Sequence, residues 1–258
     1  MKENIIFIHG LTGTKNAFNK QKKHFDHSFN TYSYDLLGHG EDRGKVVDFT
    51  LDNLVAQLEN LFEREGLNEA HLCSLSYGCY PSILFANKWK RKVKSLCFIG
   101  GHYNSTSPLF DVFKHYWEIR NEDYPSWLRK YSHDIYPKES VIDPYSIISR
   151  KIYYRYGLEL DENILKIAIY HRLTYDLRSD ISKISVPVLW VMGDHDSLYK
   201  STLTDLETLL PHVIYKEIKH AGHAANMFRA SCFNEMYEEF LHSNSVARRN
   251  SETKKEIK

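Results

Sequence analysis

The sequence predicts an α/β protein: a mostly parallel sheet of about six strands flanked by helices, with a helical segment inserted late in the chain. Two observations carry this. Short apolar runs rich in β-branched residues recur with helical patterns between them, which is the mark of βαβ units. The alternation then lapses between about 102 and 176, in a stretch rich in Tyr, Trp and Phe that offers helical patterns and no convincing strand. A chain of 258 residues suits one large domain with such an insertion.

The expected strands are 4–8, 31–34, 70–74, 93–99, 187–192 and 213–218. Between them, 14–24, 51–65, 78–88, 200–210 and 224–241 read as helices. In the second of these, Leu51, Leu54, Val55, Leu58, Leu61 and Phe62 recur at the three-and-four spacing of one buried face. Thr50 stands where an N-cap belongs, with Asn53 rather than Glu three residues on, so its capping box is incomplete. Further helices are expected at 109–121, 126–136, 145–156 and 162–174. This divides the chain into a core of 1–101 and 176–243, a helical cap of 102–175, and a polar tail of 244–258 expected to be frayed or disordered.

Composition narrows the function by exclusion. Lys and Arg number 34 against 33 Asp and Glu, a formal charge of +1, so no global field favours nucleic acid or an anionic membrane. The apolar runs are too short for a signal peptide or a membrane span, and a cytoplasmic protein is expected. Cys73, Cys79, Cys97 and Cys232 have neither disulfide-framework nor zinc-like spacing, so reduced and mostly buried thiols are expected, with no metal. Cys73 and Cys79 lie three residues to either side of Ser76 and read as packing groups around it.

The stretch "HLCSLSYGCYP" places Ser76 between an expected strand and an expected helix. A strand-to-helix turn that exposes a nucleophile usually reads Gly-x-Ser-x-Gly, because small residues let the helix pack close to the strand. Here Ser74 takes the place of the first glycine and Gly78 keeps the second. Taken alone, Ser76 is either a nucleophile or a plain loop serine. A serine hydroxyl needs a base, a group to orient that base, and donors for an oxyanion. In an open α/β sheet these belong at the carboxyl ends of the strands.

Each such end supplies a candidate. The first strand runs into "HGLTGT", a turn whose Leu11 N–H can point into the crevice, with the Tyr77 N–H as a second donor. The fifth ends in "GDHDSLY", offering Asp194 and Asp196. The sixth ends in "KHAGHAAN", offering His220 and His223, with Gly222 supplying a turn before the last helix. Among 14 histidines, position singles out His223.

Serine, acid and histidine in that order, each after a strand, resemble the α/β-hydrolase superfamily, and the likeness spans nearly the whole core. Its motifs are matched by His9-Gly10-Leu11, by "DLLGHG" from Asp35 to Gly40, by the elbow "SLSYG", by Gly193 to Asp196 and by Gly222-His223. The resemblance implies Ser76 as nucleophile, His223 as base, Asp196 as orienting acid, and Leu11 and Tyr77 as the oxyanion hole. It implies no cofactor and no metal. The chain begins almost at its first core strand, so the two strands that usually precede it are expected to be missing, leaving about six, all parallel. The segment 102–175 resembles the substrate-selecting cap of this family. His9, Thr12, His102, Tyr103, Tyr116 and Trp117 are candidate pocket residues, and Arg120, Arg129 and Arg172 candidates for meeting a carboxylate, with no arginine singled out by position.

The expected function is hydrolysis of a small carboxylic ester, thioester or lactone through an acyl-enzyme, so the expected partner is a small acyl substrate. Two other readings remain open. One is a carbon–carbon hydrolase or lyase, similar to the menaquinone-pathway synthase of this fold, which requires a charged cap pocket over Ser76. The other is a small-ligand sensor with slow turnover, the only reading that calls for a protein partner.

Overall fold

The structure, a computed structural model, describes residues 2–136 and 144–256. Its sheet contains β1 (Asn4–Ile8), β2 (Asn30–Tyr34), β3 (Ala70–Leu75), β4 (Val93–Ile99), β5 (Val188–Gly193) and β6 (Val213–Ile218). They lie in the order β2-β1-β3-β4-β5-β6, every neighbouring pair parallel. The inner strands β3, β4 and β5 are buried along their whole length; β5 accordingly reads as a continuous apolar run, while β3 and β4 also bury His71, Ser74, Lys94 and Ser95. The order reverses at β1, so the turns after β1 and β3 face one crevice at the carboxyl edge.

Side chains of β1 sort alternately to two core layers, as the period of a strand requires. Ile6 and Ile8 join the layer that holds Leu54, Leu58 and Phe62 of α2 (Leu51–Arg64) and Phe85 of α3 (Cys79–Lys88). Ile5 and Phe7 join the layer that holds Phe25 of α1 (Asn19–Phe25) and Tyr237 of α12 (Ala230–Glu256). All six apolar residues expected on the inner face of α2 are buried. The Thr50 hydroxyl accepts the Asn53 N–H at 3.2 Å, while the Asn53 amide turns back to Asp48 instead of closing a capping box.

Between β4 and β5 come α4 (Leu109–Glu118), α5 (Tyr124–Asp134), α6 (Pro144–Gly157), α7 (Glu162–Thr174) and the short α8 (Arg178–Ile181). The first four of these match the four helical stretches expected there to within a few residues, and α8 follows them. Positions 137–143 of that insertion, and 257–258 of the tail, lie outside the described residues. Among the described residues no helix is long and apolar enough to cross a membrane.

Two expectations need correction. The helix expected over 200–210 is instead two short ones, α9 (Ser197–Lys200) and α10 (Leu206–Leu209). The Ser201 and Thr202 hydroxyls bind the Leu198 and Tyr199 carbonyls at 2.6 and 2.8 Å, giving the backbone an alternative to helical pairing. The helix expected over 224–241 breaks at Arg229 into α11 (Ala225–Phe228) and α12. The second of these, α12, runs to Glu256.

The close approach of α3 to the sheet depends on Gly78. A Cβ there would lie 2.6 Å from the His9 carbonyl oxygen and 2.8 Å from that of Ile8, both on the backbone at the end of β1. At Ser74 the fit is different. Its buried hydroxyl lies 2.5 Å from that of Ser82, which in turn donates to the Gly78 carbonyl at 2.9 Å. Gly78→Ala is therefore expected to cost about 1–3 kcal/mol, read from the urea midpoint. Ser74→Gly should cost roughly 1 kcal/mol, through a lost hydrogen bond and a freer unfolded chain. A larger penalty at Ser74 than at Gly78 would contradict this division.

Candidate active site

Ser76 follows β3 directly and adopts φ 53°, a left-handed conformation that a residue with a side chain adopts only when its surroundings impose it. The Ser76 hydroxyl lies 2.8 Å from His223 Nε2, and His223 Nδ1 lies 2.7 Å from an oxygen of Asp196. With a carboxylate on Nδ1, the proton sits on that nitrogen and Nε2 is left to accept from the serine. All three residues are buried. The structure thus brings together the serine, histidine and aspartate expected from three separate strand ends.

Their supports were less visible in the sequence. Tyr199, three residues after Asp196, stacks on the His223 ring with centroids 4.0 Å apart, and Tyr136 meets the same ring edge-on at 5.7 Å. Asp194 lies beside the site and ties its loops together by accepting the Ala221 N–H at 3.1 Å. The left-handed residue of the histidine loop is His220, with φ 54°, rather than Gly222. In the turn after β1 it is Thr12, with φ 59°. There Gly10 serves close approach, since a Cβ would fall 3.0 Å from Ser76 Cβ and from the Leu75 carbonyl oxygen.

A network of two neutral histidines holds that turn. His9 Nδ1–H donates to the Gly10 carbonyl at 2.7 Å while its Nε2 accepts the Leu36 N–H at 2.9 Å. His39 Nδ1–H donates to the Leu37 carbonyl at 2.9 Å, and its Nε2 accepts the Thr12 N–H at 3.2 Å. Burial pushes His9 down to about 4. Burial and the neighbouring His9 ring push His39 down to about 3.

Above Ser76 lies a cavity of about 190 Å³, smaller than the roughly 300–1,000 Å³ of sites for drug-sized ligands. Gly10, Leu11, Thr12 and Leu75 line its floor with Ser76, and Tyr199, His223 and Met227 line its side. Ser149, Ile152, Tyr153 and Tyr156 of α6 and Arg172 of α7 reach it from the segment between β4 and β5, as does Tyr136 just after α5. Of the six pocket candidates, only Thr12 and none of the others belongs to this lining. His9 is occupied with the turn. His102 packs against Tyr80 and Tyr199, its burial and the nearby Arg172 charge holding it well below its usual range. The Tyr103 and Tyr116 hydroxyls donate to Asp205 and Asp134 at 2.6 Å, and Trp117 lies against Tyr170 and Arg120. These aromatics hold helices together rather than form the pocket. The oxyanion candidate Leu11 lines the cavity, whereas the Tyr77 ring is buried beside it, its hydroxyl hydrogen-bonded to His171 Nδ1 on α7 at 2.6 Å.

Of the three arginines considered, Arg172 alone lines the cavity. Cys73, Cys79 and Cys97 are buried and Cys232 is exposed, all four as free thiols. Among the described residues, one group could hold a metal ion, Asp194, His195 and His220, whose ligand atoms lie within 4.8 Å of one another. None of the three lines the cavity.

Six parallel strands with a serine on a strained turn after β3, joined to a histidine and an acid from the ends of β6 and β5, define a hydrolase architecture. A model of the alpha/beta hydrolase fold family matches residues 3–142, more than half of the chain, which belongs to that family. Carboxylesterase YbfK of Bacillus subtilis is 22% identical over 247 residues, covering 92% of this chain and 79% of the relative. A 3-oxoadipate enol-lactonase of Acinetobacter baylyi is 20% identical over 260 residues, covering 91% and 86%. Among solved structures, the enol-lactonase of Burkholderia xenovorans LB400 superposes with a TM-score of 0.77 at 19% identity, covering 94% of this chain and 92% of that one. MenH of S. aureus gives 0.75 at 16%, covering 94% of each.

The buried histidines make stability depend on pH with a definite sign. In the unfolded chain both return to about 6.5. The unfolded state therefore binds protons more readily, and the stability contributed by the neutral rings, complete above pH 6.5, is lost as pH falls toward 4. For His9 the full loss is about 3 kcal/mol. Urea midpoints measured from pH 7.5 to 4.5 should fall steadily, and His39→Gln should flatten the slope. A profile that is level over this range would mean that the rings are not held neutral.

Proposed function

We propose that the protein hydrolyses a small carboxylic ester, thioester or lactone through an acyl-enzyme on Ser76. One observation carries the reading: a continuous hydrogen-bonded path from Ser76 through His223 to Asp196, at 2.8 and 2.7 Å, on the floor of a cavity. Ser76 Oγ attacks the carbonyl carbon as its proton passes to His223 Nε2. The resulting oxyanion takes the N–H groups of Leu11 and Tyr77, and Asp196 stabilises the imidazolium. His223 then gives its proton to the leaving alcohol, thiol or ring oxygen. Water, deprotonated by the same nitrogen, attacks the acyl carbon and releases the acid and free serine.

Several features support this assignment. The strain at Ser76 aims its hydroxyl out of the sheet, and the stacked Tyr199 restrains the imidazole that must serve both steps. The cavity size favours a compact substrate. The helices between β4 and β5 act as the cap, contributing the roof above Ser76. The relatives named as a carboxylesterase and an enol-lactonase point to esters and lactones. A second reading, carbon–carbon cleavage or elimination with the triad moving protons, draws support from Arg172, a charge in the cavity roof.

Incubation with a fluorophosphonate probe and with short p-nitrophenyl esters distinguishes the readings. The expected result is labelling of Ser76 by intact mass, with ester turnover that falls on the order of ten-thousandfold in Ser76→Ala and in Asp196→Asn. Labelling without turnover of any ester would favour the proton-transfer chemistry. Absence of labelling would overturn the nucleophilic role of Ser76.

A further inference from the structure

The unexplained group in the cavity is Arg172, on α7. It is 3% exposed and is the only lysine or arginine among the described residues lining the cavity. Its Nη1 donates to the Tyr131 hydroxyl at 2.9 Å, and its buried Nε has no partner. The guanidinium lies over the rings of Phe113 and Tyr77, 4.8 and 5.4 Å from their centroids. Among the described residues no Asp or Glu is hydrogen-bonded or ion-paired to it. Burial weighs against its charge, yet a guanidinium is too basic to lose its proton at any working pH.

A buried cation without an anion is costly, and ring faces and one phenol offset only part of that cost. Arginine offers five donors in a planar fork, a shape that matches a carboxylate edge to edge. One charge on the roof balances one carboxylate, whereas a phosphate monoester would bring close to two into an otherwise apolar cavity. Arg172 stacks over Tyr77, the residue that follows Ser76, and both Arg172 and Ser76 line the same small space.

We propose that the substrate carries a carboxylate, held by Arg172, a short chain away from the carbonyl presented to Ser76. This deepens the hydrolase reading and rests on the cavity being its substrate site. The preferred substrates are then half-esters of short dicarboxylic acids, or esters whose alcohol portion bears the acid.

The test compares matched pairs by pH-stat. Methyl butanoate is set against monomethyl succinate and methyl pentanoate against monomethyl glutarate, and ethyl acetate against acetoxyacetate places the charge on the alcohol side. In at least one series the wild type should favour the charged member at least tenfold in kcat/KM, mainly through KM. Arg172→Met should bring that ratio to one or below, and Arg172→Lys should restore part of it. Because the ratio is taken within each variant, a loss of folded protein cancels. Neutral members preferred in every series, or an unchanged ratio in Arg172→Met, would overturn the proposal.

A binding measurement separates this from the chemistry. Monomethyl glutarate and acetoxyacetate titrated calorimetrically into Ser76→Ala protein should show saturable binding of at least one, lost in the Ser76→Ala, Arg172→Met double variant. Binding without turnover of any ester would keep the carboxylate site and remove the hydrolase reading. Turnover of neutral esters with no binding of either carboxylate would do the reverse.

Discussion

The distance between Gly78 and the end of β1 is the constraint on which the site rests. A hydrogen fits against the His9 and Ile8 carbonyls and a methyl group does not, so α3 begins hard against the sheet. The chain must then turn sharply between β3 and α3, and Ser76 takes up the turn with a left-handed backbone. Its hydroxyl is thereby lifted toward the crevice instead of into the core. The neighbouring strand order does the rest, because β1 lies beside β3 and its own turn passes within van der Waals contact of Ser76 at Gly10.

Rigidity around this turn comes from polar groups that cannot ionise without breaking it. His9 and His39 each use one ring nitrogen as donor and the other as acceptor, so the loops after β1 and β2 are fixed by four hydrogen bonds that only the neutral rings can make. Tyr77 reaches in the opposite direction, to His171 on α7. One residue therefore joins the elbow to the helix that carries Arg172. The triad and the roof are mechanically linked through it.

Much of this was legible in the sequence. Strand ends could be found from apolar runs and their flanking glycines, and chemistry is confined to strand ends in this architecture, so Ser76, Asp196 and His223 stood out by position. The roof was harder to read. His102, Tyr103, Tyr116 and Trp117 were plausible walls by type, but aromatic residues serve helix packing and ligand contact equally well, and periodicity does not say which face a packed helix turns inward. Arg172 looked like any other arginine because its meaning lies in burial and in the absence of a described carboxylate partner, which are properties of three dimensions. Tyr136 and Tyr199 gain their roles in the same way, from distances across the chain.

The cavity draws its floor and its roof from different parts of the chain. The floor is made at the edge of a sheet whose every strand is tied to its neighbours, whereas the roof comes from helices inserted between β4 and β5. Under the proposed hydrolase reading, bond-breaking groups and recognition groups are thus separately encoded. Changes in the inserted helices can alter what is admitted without disturbing how it is cleaved, provided the Tyr77–His171 contact survives. A lineage built on this plan can trade one substrate for another by small steps, each passing through a folded and reactive intermediate.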